Sequence, residues 1–351
     1  MDESLKIETD QLVLSWMQHE PEWLRDYLVQ GVEDPRINLQ SIFSRHFLVR
    51  ALTDDRFSGL MEQECRFSAC MNWLNRMVRR EISEDRELEV VLHALRQGAD
   101  NAEGLVVPAF IGRTFASLPA QDREFSIPNY IESFLENTRI VDGKPVSYQP
   151  SLDAFQRIWN CALKSHAEGD SQLANLKPAN LSVLEPACGS ANDYRYLCLY
   201  GIAQWLEYTG LDLCPKNIQN ARALFPQTRF ELGNVFELTA GDKTFDHCFV
   251  HDLFEHLSLE GLAAAVHEIC RVTRLGICAG FFSMDETPDH IVRPVEDYHW
   301  NTLSLPRVKE LFASHGFAAQ VVHVGTFLRQ YLGCDENHNP NSYTILLWRT
   351  D

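Results

Sequence analysis

No C-x-x-C pair occurs in this chain, although it contains 10 cysteines. Scattered singly, they suggest neither a zinc site nor a disulfide framework. Several lie inside apolar runs, as small buried hydrophobes do, and all read as reduced structural thiols. No apolar run approaches the roughly 18 residues of a membrane span, so no membrane partner is expected. Positive charge is in short supply: 31 Lys and Arg stand against 49 Asp and Glu, a formal net charge of −18. Nucleic-acid binding needs concentrated Lys and Arg to displace condensed counterions, and no basic stripe relieves the acid of either half. A nucleic-acid partner is therefore disfavoured, and small molecules or peptides fit better. The opening MDESLKIETD lacks the basic-then-apolar layout of a secretion signal, which points to the cytoplasm. Internal repeats and low-complexity tracts are missing as well.

What is present divides into two textures. The first 150 residues read as a mainly helical N-terminal domain. Trp16, Trp23, Leu24, Tyr27 and Leu28 recur mostly at helical spacing. Further helical stretches cover Phe43–Leu52, Phe57–Arg80 and Asp85–Arg96, the last stopping at Gly98. From Asp100 to Pro150 prolines punctuate a connector, with Asp142-Gly143 as a turn signal. Residues 151–351 alternate short apolar runs with amphipathic helices, the pattern of a doubly wound, mostly parallel sheet with crossover helices. Seven strands are expected, at Ser182–Ala187, Glu207–Asp212, Arg229–Leu232, His247–His251, Ile277–Phe282, Ala319–Val324 and Tyr343–Trp348. Helices are expected at Asn192–Trp205, Pro215–Phe225, Leu259–Val272 and Leu305–Ser314. The last two strands have no helix between them, which suits an antiparallel pair.

Chemistry concentrates at the carboxyl ends of the first four strands, where open sheets bind ligands. The first runs into Glu185-Pro186-Ala187-Cys188-Gly189-Ser190-Ala191-Asn192, a small-residue turn that lets a ligand approach a helix N-terminus. No G-x-G-x-x-G is present, so a dinucleotide fingerprint is lacking. The second strand ends in Gly210-Leu211-Asp212. A carboxylate there can accept both ribose hydroxyls of a nucleoside; it can equally cap the helix that opens at Pro215. The third ends in Gly233-Asn234-Val235, where Asn234 offers a donor and an acceptor to an adenine edge, or simply makes a turn. The fourth gives FDHCFVHDLFEHL, continuing into HEICRV.

Together these segments resemble the class I, seven-stranded S-adenosylmethionine-dependent methyltransferases, over roughly residues 180–350. EPACGSAN is similar to that family's first motif, GLD to its second, GN to its third, and FDHCFVHDLFEHL to the fourth of the small-molecule branch. The resemblance implies S-adenosyl-L-methionine as cofactor. By it, Glu185 organises the first loop and the methionine amino group, while Ala187, Gly189, Ser190 and Asn192 line methionine and ribose. Asp212 holds the ribose hydroxyls with Leu213 packed on adenine, Asn234 meets the adenine amino group beside Val235, and His251 lies near the transferable methyl. The chain departs from the family where alanines replace the usual glycines at 187 and 191, and where Asn234 stands for the more common Asp.

A sulfonium methyl needs an aligned nucleophile more than a strong base. Candidate bases are His251, Asp252 and His256, although His256 could instead brace the loop. Their spacing matches no standard metal-ligand pattern, and no metal is expected. A long segment follows the fifth strand, and Arg293, Tyr298, His299, Trp300 and Asn301 in it are candidates to line the acceptor pocket. The alternative is a packed surface loop anchored by Trp300. The expected partner is a small-molecule methyl acceptor, and the N-terminal helices offer a cap or a homodimer interface. Aminopropyl transfer on the same fold, and a regulatory cofactor-binding protein, remain as other classes.

Overall fold

A computed structural model describes residues 2–18, 180–199, 206–295, 298–324 and 341–350, together with positions 44, 47, 48, 139–141, 144–146, 203 and 326. The expected helices between Phe43 and Arg96 lie outside the described residues apart from those positions. In chain order the elements are α1 (Glu3–Gln18), β1 (Arg139–Val141), β2 (Lys144–Val146), β3 (Leu181–Pro186), α2 (Asn192–Leu199), β4 (Leu206–Asp212), α3 (Pro215–Leu224), β5 (Arg229–Leu232) and β6 (Phe245–His251). A 3-10 turn at Phe254–His256 precedes α4 (Leu259–Val272) and β7 (Thr273–Phe281). Then come β8 (Met284–Asp285), β9 (Pro294–Val295), β10 (Tyr298–His299), β11 (Leu303–Ser304), α5 (Leu305–Ser314), β12 (Phe317–His323) and β13 (Tyr343–Arg349).

Seven of these strands form one sheet in the order β12-β13-β7-β6-β3-β4-β5. β3 through β7 run parallel, while β13 is antiparallel to both β7 and β12. The order reverses at β3, whose neighbours β4 and β6 part company there, creating the crevice in which such sheets bind ligands. The expected antiparallel last pair is present, with Phe317 opposite Arg349. Far upstream, β1 and β2 pair antiparallel on either side of Asp142-Gly143.

The sheet is covered on both faces. One face packs Val250, Ile277, Ile345 and Leu347 against Leu262, Val266, Ile269 and Phe312 of α4 and α5. The other packs Val183, Tyr208, Phe230 and Phe249 against Leu197 and Ile218 of α2 and α3, together with Phe47 and Leu48. This two-sided burial is why β3 and β6 read as near-continuous apolar runs. Leu5 of α1 joins the first of these clusters. Among the described residues no helix is long and apolar enough to cross a membrane.

Helix boundaries follow from local chemistry. Ser258 caps α4, its Oγ accepting from Gly261 N at 3.0 Å, and Ser304 caps α5 by accepting from Arg307 N at 3.4 Å. β7 starts four residues earlier than its apolar pattern suggests, because α4 passes straight into Thr273 and the polar Thr273-Arg274 hides the strand signal. The segment after β7, read from sequence as a long structureless insertion, contains organised pairs. β8 and β11 pair in parallel, β9 and β10 antiparallel, and Ile291 bridges Thr302.

Candidate functional site

The turn between β3 and α2 keeps a glycine-type backbone although two of its positions are alanine. Ala187, Gly189 and Ala191 have φ of 58°, 54° and 69°, all in the left-handed region. The methyl groups change the energy of the loop and leave its path intact. At Gly189 a Cβ would meet nothing within 4 Å, so open space lies directly above the main chain. Asp212, at the tip of β4, faces this turn. Its Oδ2 accepts from Gly189 N at 2.9 Å, and its Oδ1 accepts from Cys214 N at 2.8 Å and Asn217 Nδ2 at 3.1 Å. Of the two sequence alternatives, the helix-cap role is seen directly, since Asp212 organises the start of α3. A carboxylate has about four acceptor sites. With three in use, a second sugar hydroxyl requires a shared or released bond.

Beneath the turn lies a buried ionisable cluster. Tyr208 donates to Glu185 Oε2. Burial first, and the nearby Asp193 carboxylate second, hold the Glu185 carboxyl well above the usual range. His251, the last residue of β6, bonds Asp193 of α2 from Nδ1 at 3.0 Å. Burial by itself would lower its pKa, but Asp193 more than offsets this, so His251 is held well above the ordinary histidine value. Its Nε2 is buried and has no hydrogen-bond partner among the described residues.

His256 is in the opposite state. Burial lowers its pKa below the ordinary value. Its Nδ1 lies 3.1 Å from the His299 carbonyl. A carbonyl only accepts, so Nδ1 carries the proton and Nε2 the lone pair. The ring sits among Phe282, Tyr298 and Trp300 at centroid separations of 5.3, 5.7 and 5.4 Å. Next to it, Glu255 is fully buried, its Oε1 accepting from Phe282 N at 2.7 Å and Ser283 N at 3.3 Å. Burial, and then the Asp252 charge, push the Glu255 carboxyl up to about 8.

A protein family described as a methyltransferase domain matches residues 184–278, from the middle of β3 into β7. The match spans all four motifs noted in the sequence, from Glu185 to Leu257. No curated protein matches the chain. Among solved structures, the 1,6-didemethyltoxoflavin-N1-methyltransferase of Burkholderia thailandensis is 18% identical, with 53% of this chain and 76% of that one covered and a TM-score of 0.38. The magnesium protoporphyrin IX methyltransferase of Synechocystis PCC 6803 is 14% identical, with 50% and 74% covered and a TM-score of 0.36. An S-adenosylmethionine-dependent methyltransferase from Mesorhizobium loti is 15% identical, with 52% and 97% covered and a TM-score of 0.39.

The remaining candidates are placed unequally. Ser190 turns its hydroxyl away from the open side, donating to Asn217 Oδ1 and accepting from Asn220 Nδ2, each at 3.2 Å. Asn192 begins α2, and Leu213 is half-buried beside Asp212. Val235 is packed into the core. Asn234 spends its carbonyl on Phe236 N at 3.0 Å and donates from Nδ2 to Thr9 of α1 at 3.0 Å. Asp252 stands on an exposed rim with φ of 50°. In the acceptor segment Trp300 is 45% exposed and Arg293 is exposed, whereas Asn301 is entirely buried. Asn301 donates to Leu257 O at 2.7 Å and accepts from Arg293 N at 3.0 Å. Through these two bonds Asn301 braces the segment.

Sequence reasoning missed Asp193, Tyr208, Glu255, Glu8 and Thr9. Asp193 and Glu255 stand beside recognised motifs and carry charge, which was a usable signal. Glu8 lies 250 residues from its partner and carried none.

Proposed function

We propose that this chain transfers the methyl group of S-adenosyl-L-methionine to an O, N or S atom of a small molecule by in-line displacement. The cofactor lies across the ends of β3, β4 and β5. The acceptor lies between the end of β6 and the β9–β10 segment. The observation that carries the reading is Asp212, a carboxylate at the tip of β4 holding a left-handed small-residue turn beneath open space at Gly189. When bound, the cofactor supplies a methyl group already activated by its sulfonium charge. The chain's own task is orientation, water exclusion and, for hydroxyl or thiol acceptors, removal of a proton.

His251 with Asp193 forms a buried ion pair that locks the end of β6 to the first turn of α2. His256, neutral and with its lone pair on Nε2, is the general base of this reading. Phe282, Tyr298 and Trp300 around it favour an acceptor with an aromatic or otherwise flat apolar portion. The net charge of −18 supports a small molecule over a nucleic acid.

Calorimetric titration with S-adenosylhomocysteine tests the reading. Asp212→Ala should weaken binding about 10- to 100-fold, the loss expected for charge-assisted hydrogen bonds of ~1.5–3 kcal/mol. Asp212→Asn, which retains a side chain for the α3 turn, should weaken it less while preserving the fold. Undiminished affinity in both variants overturns the proposal. Release of S-adenosylhomocysteine on incubation with fractionated metabolite pools then identifies the acceptor.

A further inference from the structure

We propose that Glu8 and Thr9 are positioning residues of the cofactor site, docking α1 against the end of β5 and the start of α4 so that helix and cofactor stabilise each other. The inference rests on the reading of Asn234 as the adenine neighbour.

Two departures from ordinary sequence patterns meet at this helix. The first is Asn234 where the resembling family more often has Asp. Thr9 Oγ1 gives its only proton to Leu5 O at 2.6 Å, so toward any second partner it can only accept. Asn234 Nδ2 supplies the required donor at 3.0 Å. An aspartate has no proton to give, and its oxygens would face the lone pairs of Thr9.

The second is the start of α4, Ser258-Leu259-Glu260-Gly261. A capping box places Glu or Gln three residues after the serine, where its carboxylate returns to the serine N–H. This helix has glycine there. The missing carboxylate comes from α1: Glu8 Oε1 accepts from Ser258 N at 2.8 Å, and Oε2 accepts from Ser258 Oγ at 2.6 Å. A Cβ on Gly261 would stand 3.3 Å from Glu8 Oε2 and 3.0 Å from Phe236 Cζ, so the glycine also makes the room Glu8 needs. The Glu8 charge further meets the positive end of the α4 dipole.

Consecutive residues of one helical turn thus answer both departures, and Leu5, one turn earlier, enters the same core cluster as Val235 and Phe236. Beside the Glu8–Ser258 contact, α1 forms one wall of a cleft of about 450 Å³, where Ile7, Glu8 and Gln11 face Ser258, Tyr298 and His299. One helix therefore touches Asn234 through Thr9 and borders the acceptor segment through this cleft. A ligand that orders the rim must favour the docked helix by the same factor that the docked helix favours the ligand.

The experiment uses the full chain and S-adenosylhomocysteine as probe. Affinity is measured by calorimetry for the wild type, Thr9→Val, Glu8→Ala and Asn234→Asp. Hydrogen exchange of residues 3–18 is followed with and without the probe. Thr9→Val and Glu8→Ala should each weaken binding about five- to tenfold, within the usual range of coupling between sites. Thr9→Val combined with Asn234→Asp should cost little more than the worse single change, because both remove one bond. The probe should slow exchange of the helix in the wild type and lose most of that effect in Thr9→Val. A merely structural role would lower thermal stability without altering this ligand-induced protection. Should Glu8→Ala fail to fold, Thr9→Val, close in volume, still decides. Wild-type affinity in Thr9→Val with helix exchange indifferent to the probe overturns the inference. Retained binding in the Asp212 variants sinks the cofactor reading itself, so the two failures are distinct.

Discussion

Replacing Ala187 or Ala191 by glycine is the same chemical change at two positions five residues or fewer apart, both with left-handed φ, yet the structure requires opposite outcomes. An alanine in the left-handed region is strained by about 1–2 kcal/mol relative to its preferred conformations. Glycine removes that strain but adds about 0.5–1 kcal/mol of unfolded-state entropy. For Ala187, φ 58° and half-buried, little packing is lost. The net effect is a stabilisation of about 0.5 kcal/mol, a rise in Tm of roughly 1–2 °C for a domain this size. Ala191, φ 69°, is 0% exposed and belongs to the core cluster beneath α2 and α3. Deleting its methyl forfeits about 0.8 kcal/mol of burial and leaves a small cavity. The balance there falls to zero or below, and Tm should stay level or drop by about 1–2 °C. Differential scanning calorimetry of both single variants, at one pH and without ligand, is the assay. A clear rise for Ala191→Gly, or a fall for Ala187→Gly, refutes the division of strain and packing made here. Ala187→Val sharpens the test, since a β-branched residue at positive φ should be costlier than either glycine change.

Two further outcomes follow from ionisation. Glu255, raised from 4.5 to about 8 by burial and then by Asp252, favours the folded state while protonated. Its contribution is fully present below pH 4.5 and is lost as pH rises through about 8, so Tm should decline across that window and Glu255→Gln should flatten the decline. For His256 burial depresses the pKa, so the base form persists into mildly acidic solution and the acid limb of kcat should have its midpoint below pH 6.5. With an acceptor in hand, His256→Gln should lower kcat about 100-fold and abolish that limb; an unchanged profile removes His256 from proton transfer.

The methyltransferase half was legible because its signals are local. Strands buried on both faces demand continuous apolar runs, and small-residue turns at their ends demand glycine-like backbone. Pro215 announces a helix start within a few residues of chain. Hence β5, α4 and α5 fall at the residues their periodicity indicates, and Asp212 stands where its motif puts it. The candidate site was only half legible. His251 and His256 look equivalent along the chain, and surroundings set by the fold divide them: Asp193 holds the pKa of one up, while burial lowers that of the other despite the bond to the His299 carbonyl. Asn301 looked like a pocket residue because it is polar and follows Trp300, but both ends of its amide are spent on main chain.

From sequence alone came the doubly wound sheet, the order of its motifs and the carboxylate at the tip of β4, because periodicity and turn chemistry act over a few residues. Tertiary structure decided which titratable groups carry charge, which polar side chains have capacity left for a ligand, and that α1 completes the cap of a helix 250 residues away. Those properties depend on burial and on partners brought together only by folding, and no local pattern encodes them.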